Sequence, residues 1–398
     1  MSDAQPGAPG LRRGVLPVLG FIALTGSISI NMHLPALADM SAQLQVPAAT
    51  VQLTIAACLI GLAAGQLVLG PLSDRFGRKR VLAPAVAAYG ASAIAIALTS
   101  DVTAILALRF VQGFAGAAGS AVPRAIVADL TRGPAAVRAL SLIVTFVALG
   151  PLLAPLIGGV VSEHVGWRGV FWVLGAVGVA MTLLTLFVVP ESLPRHARQT
   201  GGLRVTFRGI ALLVRDRRYL WAMLAFAFGS TVYVSFVAGA PLVAQNVLGL
   251  TPIQLGLVLA VGAVGTIASS SLNAGIATRT SPLRMLIVGG TITLTASATL
   301  FALAPVLSVP VFVACTAALY FGTGLTSANA TALALGRASA ARGAGAALLG
   351  TSQFALGGAL TPLVGALGEH SAVPLAVVCL SGAALALTSA ALLRRSGG

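Results

Sequence analysis

Charge is what this chain has least of. Asp, Glu, Lys and Arg together make up 8% of its 398 residues, nine acidic and 24 basic, against 57% hydrophobic. A soluble domain of that length needs a charged surface, so the composition excludes a water-exposed globule. The mean hydropathy of +0.98 makes the bilayer the solvent. Acids are missing where they would cost most, since no Asp or Glu falls well inside a long apolar run. Cysteine is also sparse. Cys58, Cys315 and Cys379 each sit in an apolar run with no paired spacing, which argues for core residues and against a disulfide or metal framework. The four histidines, His33, His164, His196 and His370, are scattered, with no nucleophile triad or phosphate loop beside them. That pattern argues against an embedded enzyme and gives no reason to expect a cofactor or a metal.

What is present is apolar length and glycine. Runs of about 20 apolar residues predict twelve spans: 14–36, 49–71, 81–99, 103–127, 137–160, 168–189, 219–244, 252–276, 284–304, 308–333, 343–367 and 372–393. The 46 glycines suit helices that pack in lipid through small residues. The first run is expected to be a span and not a cleaved signal peptide, because no small-residue cleavage site follows it. With the N-terminus inside, 21 of the 24 cations fall in cytoplasmic segments, the exceptions being Arg109, Arg124 and Arg168. Both termini are therefore expected in the cytoplasm, in the inner membrane of a bacterium. The net charge of +15 is a topology signal spread over separate segments, so no nucleic-acid partner is expected.

Residues 190–218 form the long polar stretch, with Pro190, Pro194, Gly201, Gly202 and seven arginines. They divide the chain into an N-terminal six-helix bundle (1–189) and a C-terminal one (219–398), joined by an Arg-rich cytoplasmic linker. That linker is expected to lie on the inner leaflet, attracted to anionic lipid and in part an amphipathic helix. Ala154-Pro155-Leu156-Ile157-Gly158 and Thr361-Pro362-Leu363-Val364-Gly365 match at an offset of 207 residues, close to half the chain. The expected fold is all-α and membrane-embedded: twelve transmembrane helices in two pseudo-symmetric six-helix bundles, as rocking-bundle transporters are built.

The densest charge lies in Gly70-Pro71-Leu72-Ser73-Asp74-Arg75-Phe76-Gly77-Arg78-Lys79-Arg80, read as a tight hairpin in which Gly70 and Gly77 permit close approach and a sharp turn. Asp74 sits at a helix end, where it either meets a helix dipole or pairs with a cation. Arg109 lies about six residues inside the fourth span, so it must face the interior and be paired or wet, and Gln112 is one turn away. Arg124 either snorkels to the surface or pairs with Asp129. Gly150, Pro151, Pro155, Gly158 and Gly159 are expected to break or thin the fifth helix, giving a bend and a tight seam.

The hairpin pattern G-x-L-x-D-R-x-G-R-K resembles the signature of the major facilitator superfamily. Arg109-Phe-Val-Gln112-Gly113-Phe-Ala-Gly116 is similar to the conserved-arginine motif of its proton-coupled members. Gly150-Pro151-Leu-Leu-Ala154-Pro155-Leu-Ile-Gly158-Gly159 is similar to its fifth-span antiporter motif, with Ala154 in place of the second glycine. Leu34-Pro35-Ala36-Leu37, Val51-Gln52-Leu53-Thr54, Gly166-Trp167-Arg168 and Pro190-Glu191-Ser192-Leu193-Pro194 together resemble the bicyclomycin and chloramphenicol resistance (Bcr/CflA) branch of drug:proton antiporters. The resemblance implies a monomeric exporter of small hydrophobic or antibiotic-like compounds by alternating access, with protons as the exchanged partner. It also implies that Asp74, Arg78 and Asp129, with Gly70, Arg75 and Gly77, form the charge cluster that closes the cytoplasmic side, and that Arg109 and Gln112 serve coupling.

The coupling position departs from that branch. Where relatives carry an acid in the first span, this chain reads Asn31-Met32-His33-Leu34-Pro35. Asn31 cannot carry a proton. His33, with an ordinary pKa near 6.5, is either the proton carrier or an interfacial polar residue. Asp39 and Asp129 are peripheral alternatives, and uncoupled facilitation or uptake of a metabolite is the competing function. The candidate residues for an apolar cavity with few polar anchors are Gln52, Tyr233, Phe236, Phe321, Asn329, Gln353 and Phe354.

Overall fold

The computed structural model describes residues 14–195, 198, 202–276, 279–338, 342–368 and 371–396. Within hydrocarbon every backbone N–H and C=O must be satisfied along its own segment, which leaves the helix as the answer to a long apolar run. Twelve helices are long and apolar enough to cross a membrane: Val15–Leu44, Ala48–Phe76, Arg78–Leu98, Val102–Leu130, Arg138–Val165, Trp167–Phe187, Arg217–Val247, Pro252–Ile276, Pro282–Val306, Val309–Arg337, Gly343–Val364 and Val373–Arg395. The described residues contain no strand. We number the spans in this order and call the face that carries the 70–80 hairpin the hairpin side.

The first span is longer than its apolar run suggests and is interrupted. Helical ladders cover Val15–Ala23, Thr25–Asn31 and Leu37–Leu44, with a 3₁₀ turn at Leu34–Ala36 in which Pro35 donates no hydrogen bond. The seventh span closes in a π-helical turn, Leu242–Val247, directly after Pro241. The fifth helix, in contrast with the expected break, runs unbroken over Gly133–Val165 through both Pro151 and Pro155.

The hairpin is tighter than its eleven polar-rich residues imply. The second helix continues through Gly70 and Pro71 to Phe76, and the third begins at Arg78. Gly77 alone makes the turn, at φ 109° and ψ 147°. An L side chain is strained at that φ, and a Cβ there would also lie 2.5 Å from the Glu191 carboxylate. Gly70 has no comparable role, because a Cβ on it would meet nothing within 4 Å. The reading of Gly70 as a close-approach residue is therefore corrected.

Close approach occurs deeper, where the second span packs along the fourth. A Cβ on Gly113 would sit 2.0 Å from the Cys58 carbonyl oxygen, so only hydrogen fits. Across the two halves, the second span packs on the eleventh and the fifth on the eighth. Cys58, Cys315 and Cys379 are buried, free thiols.

Glycine packing of this kind is testable by contrast. Gly113→Ala should lower the melting temperature of the purified protein by several degrees, since overpacking costs about 1–3 kcal/mol. Gly70→Ala should leave it unchanged within about a degree, as a surface change away from packed features does.

Candidate functional site

Three clusters of polar residues stand out against the apolar background. The first is at the hairpin. Arg78, the first residue of the third span, is buried and directs its guanidinium at the ends of two other helices. Its Nε donates to Asp129 Oδ2 at 3.0 Å, its Nη1 donates to Ser73 Oγ at 2.8 Å, and Nη1 also pairs with Asp74. Its backbone N–H donates to Glu191 Oε1 at 2.8 Å, and Ser192 Oγ donates to Asp129 Oδ2 at 2.9 Å. Asp74 thus pairs with a cation and does not meet a helix N-terminus. Asp129, held by Arg78 and Ser192, leaves Arg124 exposed on the fourth span. Arg75 points outward, with its guanidinium carbon 5.2 Å from the centre of the Phe76 ring. Ser73, from the hairpin itself, joins this cluster, and Glu191 and Ser192 enter it unannounced by the sequence, their separation along the chain from Arg78 and Asp129 having hidden them.

The second cluster surrounds Arg109, which is fully buried. Its Nε donates to the Thr54 carbonyl at 3.3 Å and its Nη1 to Gln112 Oε1 at 2.6 Å. Nη2 donates to the Ser29 carbonyl at 3.1 Å and lies 3.2 Å from His33 Nδ1 and 3.3 Å from Nε2. The Phe171 ring faces the guanidinium with its centre 5.6 Å away and flanks His33 at 5.9 Å. A guanidinium only donates, so the imidazole nitrogen it reaches must be an acceptor and the ring neutral. His33, Arg109 and Gln112 are thereby brought together. Asn31 stands apart, with its Nδ2 donating to the Ser27 carbonyl at 2.8 Å. Asp39 Oδ2 accepts from the Trp167 amide at 2.9 Å and so caps the sixth span on the far side. Arg168, the remaining cation on that side, stacks over Trp167 at 4.2 Å.

The third feature is a cavity of about 530 Å³ between the halves. On the far side the halves are joined: Gln52 Nε2 donates to the Ala238 carbonyl at 3.2 Å, Gln245 Nε2 to the Pro35 carbonyl at 3.0 Å, and the Ile253 amide to Glu163 Oε2 at 3.2 Å. Gly159 of the fifth span makes the seam there, while its neighbour Gly158 seats the fifth span on the first within one half. A Cβ on Gly158 would lie 1.8 Å from the Met32 carbonyl oxygen, and one on Gly159 would lie 2.6 Å from the Pro252 carbonyl oxygen. Gly150 meets the Ser27 side chain, and Pro155 presents its carbonyl to Gly256. Beyond Pro155, toward the hairpin side, residues of the fifth and eighth spans line the cavity, with Pro151 on its wall. On the opposite flank the halves stay in touch further, as far as the Thr351 hydroxyl on the Ala63 carbonyl at 3.3 Å and Gly350 against Gln66.

Of the candidate cavity residues, Tyr233 and Gln353 line this space. Gln52 is spent on the far-side seam. Phe236 is buried in the second bundle, stacked on Phe312 at 5.7 Å, and Phe354 packs against the main core. Asn329 ties the tenth span to the eighth by donating to Asn273 Oδ1 at 2.8 Å, and Phe321 is half-buried outside the lining. Hydroxyls do most of the polar lining: Ser230, Thr266, Ser270, Thr323 and Ser327. Several bond back to their own helix, as Ser270 does to the Thr266 carbonyl at 3.0 Å, while Ser230 Oγ is buried with no partner among the described residues. No lining residue is charged. The i, i+4 spacing of Thr266 with Ser270 and of Thr323 with Ser327 was the legible signal for these residues.

An ion pair at the start of the second bundle completes the polar features. Asp216 caps the seventh span by accepting from the Arg218 amide at 2.9 Å and the Tyr219 amide at 3.3 Å, and it pairs with Arg337 at the end of the tenth at 3.0 Å. Partial burial pushes the Asp216 carboxyl up, but the Tyr219 amide, the Arg337 guanidinium and the Arg218 amide outweigh it and hold the pKa below the usual value.

Twelve described helices long and apolar enough to cross a membrane, in two halves with an uncharged cavity between them, are the build of a membrane transporter. Residues 19–362 match the Major Facilitator Superfamily, and the chain belongs to that family of transporters. It is 30% identical over 367 residues to the uncharacterized MFS-type transporter YdgK of Bacillus subtilis, covering 91% of this chain and 90% of that protein. It is 29% identical over 359 residues to a bicyclomycin resistance protein homolog of Haemophilus influenzae, 90% of each chain. Over 245 residues it is 29% identical to a chloramphenicol resistance protein of Pseudomonas aeruginosa, 61% of this chain and 57% of that protein. These relatives are named for transport or resistance and not as enzymes.

Because the folded pKa of Asp216 is depressed, its contribution to stability is complete above the ordinary carboxylate pKa of about 4 and is lost as pH falls through the lower folded value. Asp216→Asn should melt below the wild type at pH 7, and the gap should close as the pH is taken below about 4 in a thermal unfolding series.

Proposed function

We propose that this chain exports small hydrophobic or antibiotic-like compounds across the bacterial inner membrane by alternating access, in exchange for protons. The observation that carries the reading is the cavity between the halves: it is bonded shut at the far side, and its eighth-span lining, 263–271, lies in the hairpin-side half of that helix. Cation placement favours the hairpin side and both termini in the cytoplasm, so in this reading the arrangement loads from within. A volume of about 530 Å³ suits one drug-sized molecule. A wall of apolar groups with hydroxyls and one amide, and no charge, favours neutral amphipathic solutes over cations. The names of the relatives from Haemophilus influenzae and Pseudomonas aeruginosa point to the same substrate class.

Proton coupling is assigned to the pair of His33 and Arg109. In the neutral state the imidazole accepts from the guanidinium at 3.2 Å. Protonation removes that acceptor and sets two cations side by side; at an effective dielectric of 20, unit charges 4 Å apart repel by about 4 kcal/mol. A few kcal/mol is the scale on which a two-state transporter is switched. The first and second spans would part from the fourth at Ser29 and Thr54, the carbonyls that share Arg109, and pass the change to the Met32–Gly158 contact. At the other end, Asp74, Arg78 and Asp129 act as the hinge cluster of the cytoplasmic face. Asp39 caps the sixth span and Asp129 pairs with Arg78, both away from the Arg109 cluster, so this reading takes His33 as the proton carrier. The transporter works as a monomer in this reading.

Drug-susceptibility profiles of cells with and without the protein, repeated with a protonophore, test the whole reading. Resistance that rises with expression and collapses with the protonophore is the expected result; no change across a broad panel would overturn it. His33→Gln should flatten the pH dependence of export, and an unaltered profile would remove His33 as the proton carrier. Asp74→Asn should cut turnover about tenfold while leaving membrane insertion intact, as measured by export per molecule of folded protein.

A further inference from the structure

The linker holds a helix, Gly202–Arg215, whose faces do three different things. Gly209 and Leu213 are buried and Ile210 is partly so; Leu213 packs with Tyr219, Ala344 and Leu349 of the seventh and eleventh spans. The same helix also touches the second span, so one short segment contacts both halves at the hairpin side. It lies on the flank where the second and eleventh spans meet, away from the opening between the fifth and eighth.

Next to the packed face runs a stripe that nothing among the described residues covers. Phe207, Ala211 and Val214, at i, i+4 and i+7, are all exposed, Phe207 to 54% and Val214 to 45%. That spacing puts them on one line along an α-helix. At 3.6 residues per turn, Arg208 and Arg215, seven residues apart and both exposed, form the next line around the helix. Leu212 lies on the far flank of the arginines, 61% exposed. The order around the helix is therefore protein contact, bare apolar stripe, then cations. A helix that docks sideways at the edge of a bundle, at the level where the spans leave the hydrocarbon, presents that order to one environment: acyl chains beside the bundle and phosphates above them.

We infer that Gly202–Arg215 is an anionic-phospholipid docking strap: Phe207, Ala211 and Val214 insert into the leaflet, Arg208 and Arg215 pair with anionic headgroups, and the bound helix holds the two halves together on the second-and-eleventh-span flank. The charge match selects the partner. Zwitterionic headgroups would satisfy the apolar stripe alone, whereas anionic ones also satisfy both guanidinium groups. This docking is independent of substrate and of proton coupling.

Accessibility of a single added thiol tests it, since the three native cysteines are buried. Full-length protein carrying Ala211→Cys is reconstituted in vesicles of phosphatidylcholine alone or of phosphatidylcholine with an equal part of phosphatidylglycerol, and labelled with a membrane-impermeant maleimide. Labelling should be roughly thirtyfold slower with phosphatidylglycerol, from about 1 kcal/mol for each of the two arginines near an anionic surface. Adding Arg208→Gln and Arg215→Gln should abolish the difference. A thiol at Leu212→Cys should label at similar rates in both vesicles, which separates local insertion from a general loss of access. Equal labelling of the Ala211→Cys protein in the two vesicles, or protection that survives loss of both arginines, would overturn the inference.

Discussion

A charge held in hydrocarbon must be paired or wetted, at a cost of several kcal/mol otherwise, and that constraint orders this molecule from end to end. Arg109 satisfies it with two carbonyls, an amide oxygen, an imidazole and an aromatic face drawn from four spans. Removing any one partner leaves a buried guanidinium short of an acceptor, so the cluster ties the first, second, fourth and sixth spans to one another. The cavity obeys the same rule by having no charge at all. Arg78 and Asp129 obey it at the bundle's end, where pairing with Asp74, Ser73 and Ser192 lets a cation sit buried beside the turn.

The two bundles divide the chemistry between them. The first carries the ionisable network, the hairpin and the sixth-span cap made by Asp39. The second carries most of the hydroxyl-lined cavity wall, with only the fifth span of the first bundle facing it across the opening. Such a division lets a protonation event and a binding event act on different helices and meet where the halves touch. That meeting point is the far-side seam, where Gly159 lies on the Pro252 carbonyl of the eighth span, beside Gly158, which lies on the Met32 carbonyl of its own bundle, one residue from His33. A small rearrangement at His33 is therefore adjacent to the seam that seals the cavity.

Much of the architecture was legible because its signals are local. Span count follows from apolar length, and the buried state of Arg109 follows from its depth in a run. The i, i+3 relation to Gln112 is a property of any helix. Other readings failed for equally physical reasons. Gly70 looked like half of a turn, but a helix can continue through Gly-Pro when the proline's missing donor and ring are accommodated, and only Gly77 has the positive φ that ends it. The aromatics Phe236, Phe321 and Phe354 have no sequence mark that separates a cavity wall from a packed core. The hydroxyl pairs did carry a mark, their four-residue spacing, yet hydroxyls also bond back to their own helix, so spacing alone does not say what they face.

The sequence by itself determined that this is a twelve-span membrane protein, which side its cations favour, and that no acid stands in the first span where a carrier is expected. These follow from transfer free energies summed over short windows, which need no knowledge of neighbours. Only the tertiary structure decided that His33 touches Arg109, that Glu191 and Ser192 return to the hairpin more than a hundred and about sixty residues from their partners, and that the linker helix leaves an apolar stripe bare beside its arginines. Those are contacts between segments remote in the chain, and they depend on how helices rotate about their axes as they pack, a quantity that apolar length does not encode.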